Sequence, residues 1–234
     1  MSAVDDAIAR MRAIREELDQ GDGAWWFNEL YLRMTEAVRD RLASLGFVDA
    51  AFMAELDARF AARWFEAFAQ AQAGNAPSPA WRPLFDARYQ ARAPVQFAFA
   101  GMNAHINYDL CIAVVDTLGA LGRNHPFDDE YADYCRINDV LETVQEQVKR
   151  EFEDAVLRAV DGATQGAGDA VVHWDIVEAR AAAWSNAMVL WDLREREVTK
   201  GLFLAVLSRT VGFAGRGLMV PTGAAPALRA ASGG

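Results

Sequence analysis

Apolar positions recur every three and four residues along almost the whole chain, and no alternating stretch of useful length interrupts them. A spacing of three and four puts one face of each segment against a core, so the pattern predicts helix after helix and no sheet. Val4 to Asp19 is the plainest case: Ile8, Met11, Ile14 and Leu18 share a stripe, charge lies elsewhere, and Gly21-Asp-Gly23 ends the segment. A second helix is expected from Trp25 to Leu45, stopped by Gly46, and a third from the N-cap residue Asp49 to about Ala73. The turn Gly74-Asn-Ala-Pro-Ser-Pro79 leads to a short helix carrying Trp81 and Phe85, with Ser78 and Pro79 suited to its N-cap and first position.

Ala93-Pro94 then opens the most apolar helix, Val95 to Leu121. Beyond the loop Gly122 to Pro126, Asp128 and Asp129 favour the start of a helix running to about Val160. Gly162 to Gly168 separates it from Val171 to Leu193, and a last helix covers about Glu195 to Phe213. No internal repeat is visible. The expectation is an all-α, single-domain bundle of about seven or eight helices around a central buried helix. The domain spans 1–221, and 222–234 is a flexible tail rich in Gly, Ala and Pro.

Composition narrows the class. A chain of 234 residues, 53% hydrophobic, is long enough for one sizeable core, and its seven Trp and thirteen Phe imply large buried contacts that can line an apolar pocket. A net charge of −10 argues against a nucleic-acid partner, and the dispersed basic residues argue against an anionic membrane surface. No basic patch followed by an apolar stretch marks a secretory signal, and Asp109 and Asp116 break the longest apolar run below spanning length. A cytoplasmic, soluble protein is expected, and the sequence is compatible with a homodimer. Cys111 and Cys135 cannot specify a disulfide framework.

Candidate chemistry concentrates in the central helix, where Asn103, His105, Asn107 and Asp109 sit in an apolar run that has no Lys or Arg. Polar groups on a helix buried all round must be satisfied by partners, water or a ligand. At about 100° per residue, His105, Asp109 and Asp116 fall on one side, while Gln96, Asn103 and Asn107 lie close to opposite. The His105–Asp109 pair, four residues apart, can serve as an imidazole base oriented by a carboxylate or as half of a divalent-metal site. It can equally be a buried hydrogen bond that ties helices together. Two ligands do not make a metal site, so no metal residues are assigned and the cofactor stays unknown. Gly101 suits a close approach by another helix or a ligand.

Elsewhere, Asn138, Glu142 and Glu146 recur on one helix face, like the magnesium-binding ladder of class I terpene cyclases. Glu142 stands where that motif has a hydroxyl residue, and the acidic partner pair Asp129–Asp133 is on the same helix, so a solvated acidic stripe is the default. Tyr131, Tyr134 and Asn138 share a side that could meet the central helix. Trp26, Asn28, Tyr31 and Arg33 mix aromatic and polar groups near a helix start, and Arg180 and Trp184 are spaced for cation–π packing or anion binding. His173-Trp174-Asp175 marks a helix start. There is no phosphate-binding Gly loop, G-x-S-x-G elbow, C-x-x-C or H-E-x-x-H.

Ala100-Gly-Met-Asn-Ala-His-Ile-Asn-Tyr-Asp-Leu110, Phe27-Asn-Glu-Leu-Tyr-Leu-Arg-Met-Thr-Glu36, Trp81-Arg-Pro-Leu-Phe85, Arg136-Ile-Asn-Asp139 and Arg180-Ala-Ala-Ala-Trp184 together resemble DUF5995, a bacterial family of unknown function. The resemblance runs from about Asp22 to Pro221. It implies a helical domain centred on the Gly101-to-Leu110 segment and supplies no catalytic assignment.

The leading expectation is therefore an enzyme with an apolar inter-helix pocket for a small hydrophobic molecule, working by acid/base chemistry of hydrolase, lyase, isomerase or cyclase type. His105, Asp109 and Asn138 would carry the chemistry. Asn103, Asn107, Trp26, Tyr31, Tyr134, Arg180 and Trp184 would bind substrate. The alternative is a non-catalytic helical ligand-binding or scaffold domain in which His105 and Asp109 are structural.

Overall fold

The computed structural model describes residues 2–159 and 175–221, and among these there is no strand. The helices are α1 (Ala3–Glu17), α2 (Gly23–Leu45), α3 (Ala50–Gln72), α4 (Arg82–Ala87), α5 (Pro94–Ala104), α6 (Leu110–Ala120), α7 (Asp128–Arg136), α8 (Asn138–Ala159), α9 (Ile176–Asp192) and α10 (Glu197–Leu218). A π-turn, His105–Asp109, joins α5 to α6 without a break, and only Ile137 separates α7 from α8. The molecule is all-α and single-domain. Among the described residues no helix is long and apolar enough to cross a membrane. The tail expected at 222–234, the loop at Gly162–Gly168 and His173 lie outside the described residues.

Local chemistry explains the boundaries. Ser2 and Asp5 form a reciprocal capping box at α1, whose stripe of Val4, Ala7, Ile8, Met11 and Ile14 is buried as the periodicity requires. Asp22 caps α2 by accepting from Ala24 N–H at 2.9 Å, so that helix begins at Gly23, earlier than Trp25. Asp49 caps α3 through Phe52 N–H, as expected. Ser78 does not cap α4: its carbonyl accepts from Trp81 and Arg82 N–H in a preceding turn, and the helix starts at Arg82 with Pro83 in its first turn. Asp175 has extended backbone and caps α9 through Val177 and Glu178 N–H, which moves the start from Val171 to Ile176.

The α5–π–α6 rod is the axis of the fold. Every residue from Val95 to Ala104 is buried. Helices α2 and α10 flank α5, and α3 and α9 flank α6. Gly101 is what lets α2 close on α5: a Cβ there would lie 2.3 Å from Cγ of Phe27. In the π-turn, Leu110 N–H donates to the His105 carbonyl, five residues back. The extra residue rotates everything downstream by about 100° relative to a regular helix. That rotation removes Asp116 from the His105–Asp109 side, where uniform helical spacing puts it. Asp116 instead meets Arg63 of α3 at 2.5 Å on a partly exposed surface.

Candidate functional site

His105 is completely buried. The π-turn aims it at α2 and α3, where Phe60 stacks on the imidazole, Tyr31 meets it edge-on at 4.6 Å, and Phe27 and Trp81 close the remaining sides. Its Nδ1 lies 3.2 Å from Asp109 Oδ2, and the Trp81 indole N–H donates to the same oxygen at 2.9 Å. Burial pushes the His105 pKa below its usual 6.5, against the opposing pull of Asp109, so the ring is neutral at neutral pH. A carboxylate only accepts, which puts the single ring proton on Nδ1 and leaves Nε2 as an acceptor. That Nε2 has no hydrogen-bond partner. The Tyr31 hydroxyl also lacks one of good geometry, since the nearby Thr35 hydroxyl donates to the Tyr31 carbonyl. Burial, and then the charges of Asp57 and Asp109, hold the Tyr31 phenol protonated.

A second group forms where α7, α8 and α9 meet. Arg180 of α9, only 4% exposed, donates from Nε to Asn138 Oδ1 at 2.9 Å and from Nη2 to the Tyr134 carbonyl at 2.6 Å. Its guanidinium lies 4.0 Å above the Tyr134 ring, whose hydroxyl donates back to the Arg180 carbonyl. Trp184 packs 5.0 Å from both Tyr131 and Tyr134. The Tyr131–Tyr134–Asn138 side thus packs against α9.

The remaining candidates are dispersed. Asn103 donates to the Val211 carbonyl of α10 and accepts from Asn107, a tie between helices. Trp26 donates to the Gln20 carbonyl in the α1–α2 turn. The ten residues therefore fall into a His105–Asp109–Tyr31 core cluster, a Tyr134–Asn138–Arg180–Trp184 cluster, the Asn103–Asn107 tie and Trp26 at the α1–α2 turn.

Between these two clusters lies a cavity of about 360 Å³ with predominantly apolar walls. Exposed Ser2, Ala50 and Ala54 frame its mouth, while Leu110 and Arg180 are buried wall residues. Phe60 and Asp57 also line it, but His105 and Asp109 do not. Phe60 is the partition: it belongs to the cavity wall and stacks on the imidazole.

A family model for DUF5995, a family of unknown function, matches residues 4–221. The chain belongs to this family. Comparison with curated proteins and with solved structures finds no match. The match reaches further towards the N-terminus than the motifs from Asp22 onward, and so takes α1, with its buried cavity-lining residue Val4, into the DUF5995 domain.

The acidic ladder of this DUF5995 chain is solvated at Glu142 and Glu146, and among the described residues no group of three or more His, Cys, Asp or Glu is placed to hold a metal ion. Asp133, grouped above with Asp129, is instead fully buried, accepting from Val48 and Asp49 N–H at 2.9 and 2.6 Å and clamping the α2–α3 loop. Sequence reading passed over Asp57. Its Oδ2 is enclosed and unpartnered, and burial raises its carboxyl pKa to about 6. The signal was present: Met53, Asp57, Phe60 and Trp64 share one helical stripe, so an acid sat among the apolar positions of α3. Phe60 had no such mark, because nothing local distinguishes a partition from ordinary core.

Proposed function

We propose that the protein is a small-molecule-binding helical domain whose ligand occupies the cavity between α1, α2, α3 and the α7–α9 side, with His105 and Asp109 serving as a structural network behind it. One observation carries this reading. A chamber of a size that accepts a small molecule, mostly apolar but with a few convergent polar groups, opens beside the central helix, and the imidazole is walled off from it by Phe60. The neutral His105 has its carboxylate partner, and that carboxylate also satisfies the Trp81 indole, which is how a buried linkage is satisfied. Titrating the purified chain with a neutral fluorescent naphthylamine probe tests the reading. One probe per chain should bind with enhanced fluorescence, and Ala54→Trp, which fills the mouth from an exposed position, should abolish binding. Absence of binding, or binding indifferent to Ala54→Trp, defeats it.

A second reading keeps His105 as an acid/base group with Asp109 as its orienting carboxylate. What favours it is the pair of unpartnered polar atoms, His105 Nε2 and the Tyr31 hydroxyl, on a π-turn. Catalysis there requires Phe60 to swing aside so that the cavity and the imidazole become continuous. Any turnover found with this protein should then vanish in His105→Gln while ligand binding persists.

A further inference from the structure

Among the described residues two arginines are buried, Arg88 and Arg180, and they are treated differently. Arg88, 6% exposed, faces Asp22 and holds both carboxylate oxygens, with Nε at 3.0 and 3.1 Å. Arg180 is at least as buried, yet among the described residues no carboxylate pairs with it. Its hydrogen-bond partners are an amide oxygen and a backbone carbonyl, both neutral, and the Tyr134 ring beneath it is neutral too. Burial pulls the Arg180 pKa below its ordinary value, but a guanidinium does not lose its proton in a protein, so the charge stays. An uncompensated buried charge is costly unless something pairs with it. Nε and Nη2 are used, and among the described residues Nη1 has no hydrogen-bond partner, while Arg180 itself lines the cavity.

We infer that the cavity takes an amphipathic monocarboxylate, its carboxylate anchored on Arg180 Nη1 and its hydrocarbon chain laid along Ile137, Leu110, Leu56 and Met53. This inference rests on the binding-domain reading above and deepens it by naming the ligand class. The wall chemistry fits: aliphatic side chains supply area for a tail without specific polar demands, and one fixed cation selects the head. Asp57 is not paired with that cation: its enclosed Oδ2 has no partner, the Arg180 guanidinium bonds Asn138 and Tyr134, and burial alone accounts for the raised carboxyl pKa. It belongs to the α3 wall with Phe60, and can accept from a hydroxyl carried further along the ligand.

Isothermal titration of the full chain with decanoate, decanol and decylamine, each below its aggregation concentration, tests this. Decanoate should bind at least tenfold more tightly than decanol, and decylamine most weakly. Equal binding of decanoate and decanol overturns the Arg180 inference while leaving an apolar binding domain. Failure of all three removes the binding domain as well. In Arg180→Met the preference should collapse to less than about twofold with decanol affinity kept, and in Arg180→Lys part of it should survive. A decanoate preference that persists in a folded Arg180→Met chain overturns the anchor. If Arg180→Met does not fold, the three-ligand series on the parent chain still decides the charge preference.

Discussion

Phe60 and His105 lie face to face, 3.7 Å between ring centroids and 6° from parallel. Because the same phenyl ring helps wall the cavity, the depressed imidazole pKa depends on one side chain keeping water out. Phe60→Ala should cost about 3 kcal/mol, at the low end for removing a large aromatic because this one is only partly buried. It should also raise the His105 pKa towards 6.5, read from the imidazole signals in an NMR pH titration. An unchanged titration in a folded Phe60→Ala chain would show that other rings exclude the water.

Asp109 accepts from two buried donors at one oxygen. Asp109→Ala strands both the His105 ring and the Trp81 indole and should lower unfolding stability by about 2–4 kcal/mol. Asp109→Asn retains an oxygen acceptor and should cost clearly less. Urea unfolding followed by Trp fluorescence ranks the two, and equal costs would mean that charge rather than hydrogen bonding is what Asp109 supplies.

Two buried groups pull the pH dependence in opposite directions. The Asp57 carboxyl titrates near 6 in the folded chain against an ordinary 3.8, so the folded state holds the extra proton between those values. Stability from Asp57 therefore falls as pH rises from about 4 to 6, and the penalty is complete above that. Asp57→Asn should stabilise the protein near neutral pH by on the order of 1–3 kcal/mol and give no such gain below about pH 4. His105, with a lowered pKa, works the other way: below about 6.5 the unfolded chain takes up the proton first, and acid destabilises. His105→Gln should flatten that acid limb. Denaturant midpoints measured across pH for both variants separate the two contributions.

Helix packing gives a sharper structural test. An alanine Cβ at Gly101 would sit 2.3 Å from Phe27, and one at Gly212 would sit 2.2 Å from the Pro79 carbonyl oxygen. Gly101→Ala should cost about 1–3 kcal/mol, because an aromatic ring can shift a little. Gly212→Ala should cost more, because its obstacle is backbone. Gly119→Ala meets nothing within 4 Å and should be neutral or stabilising by about 0.5 kcal/mol. Thermal unfolding of the three variants gives the order directly.

Periodicity and capping residues made most helices readable: Asp49 caps α3 where expected, whereas the cap at Asp175 was hidden by apolar residues before it that extend the periodic pattern back to Val171. The central helix was readable because polar side chains in an apolar run are conspicuous. Its phase was not, since a π-turn leaves no mark in residue type, and Asp116 was misplaced for that reason. The His105–Asp109 hydrogen bond followed from spacing alone. Which groups reach a cavity did not, because Arg180, Leu110 and Asp57 meet it from three different helices, and only tertiary packing decides that a guanidinium gains no carboxylate while another, Arg88, does.

The inserted residue between Ala104 and Leu110 also sets a rule for variation in this segment. Deleting one residue there would restore a uniform helix and wind α6 backwards, carrying Leu110 off the cavity and turning Asp116 inward among the aromatics. The length of His105–Asp109 is therefore constrained independently of its side chains: what looks like a five-letter motif is also a spacer that keeps two halves of one rod in register with different neighbours.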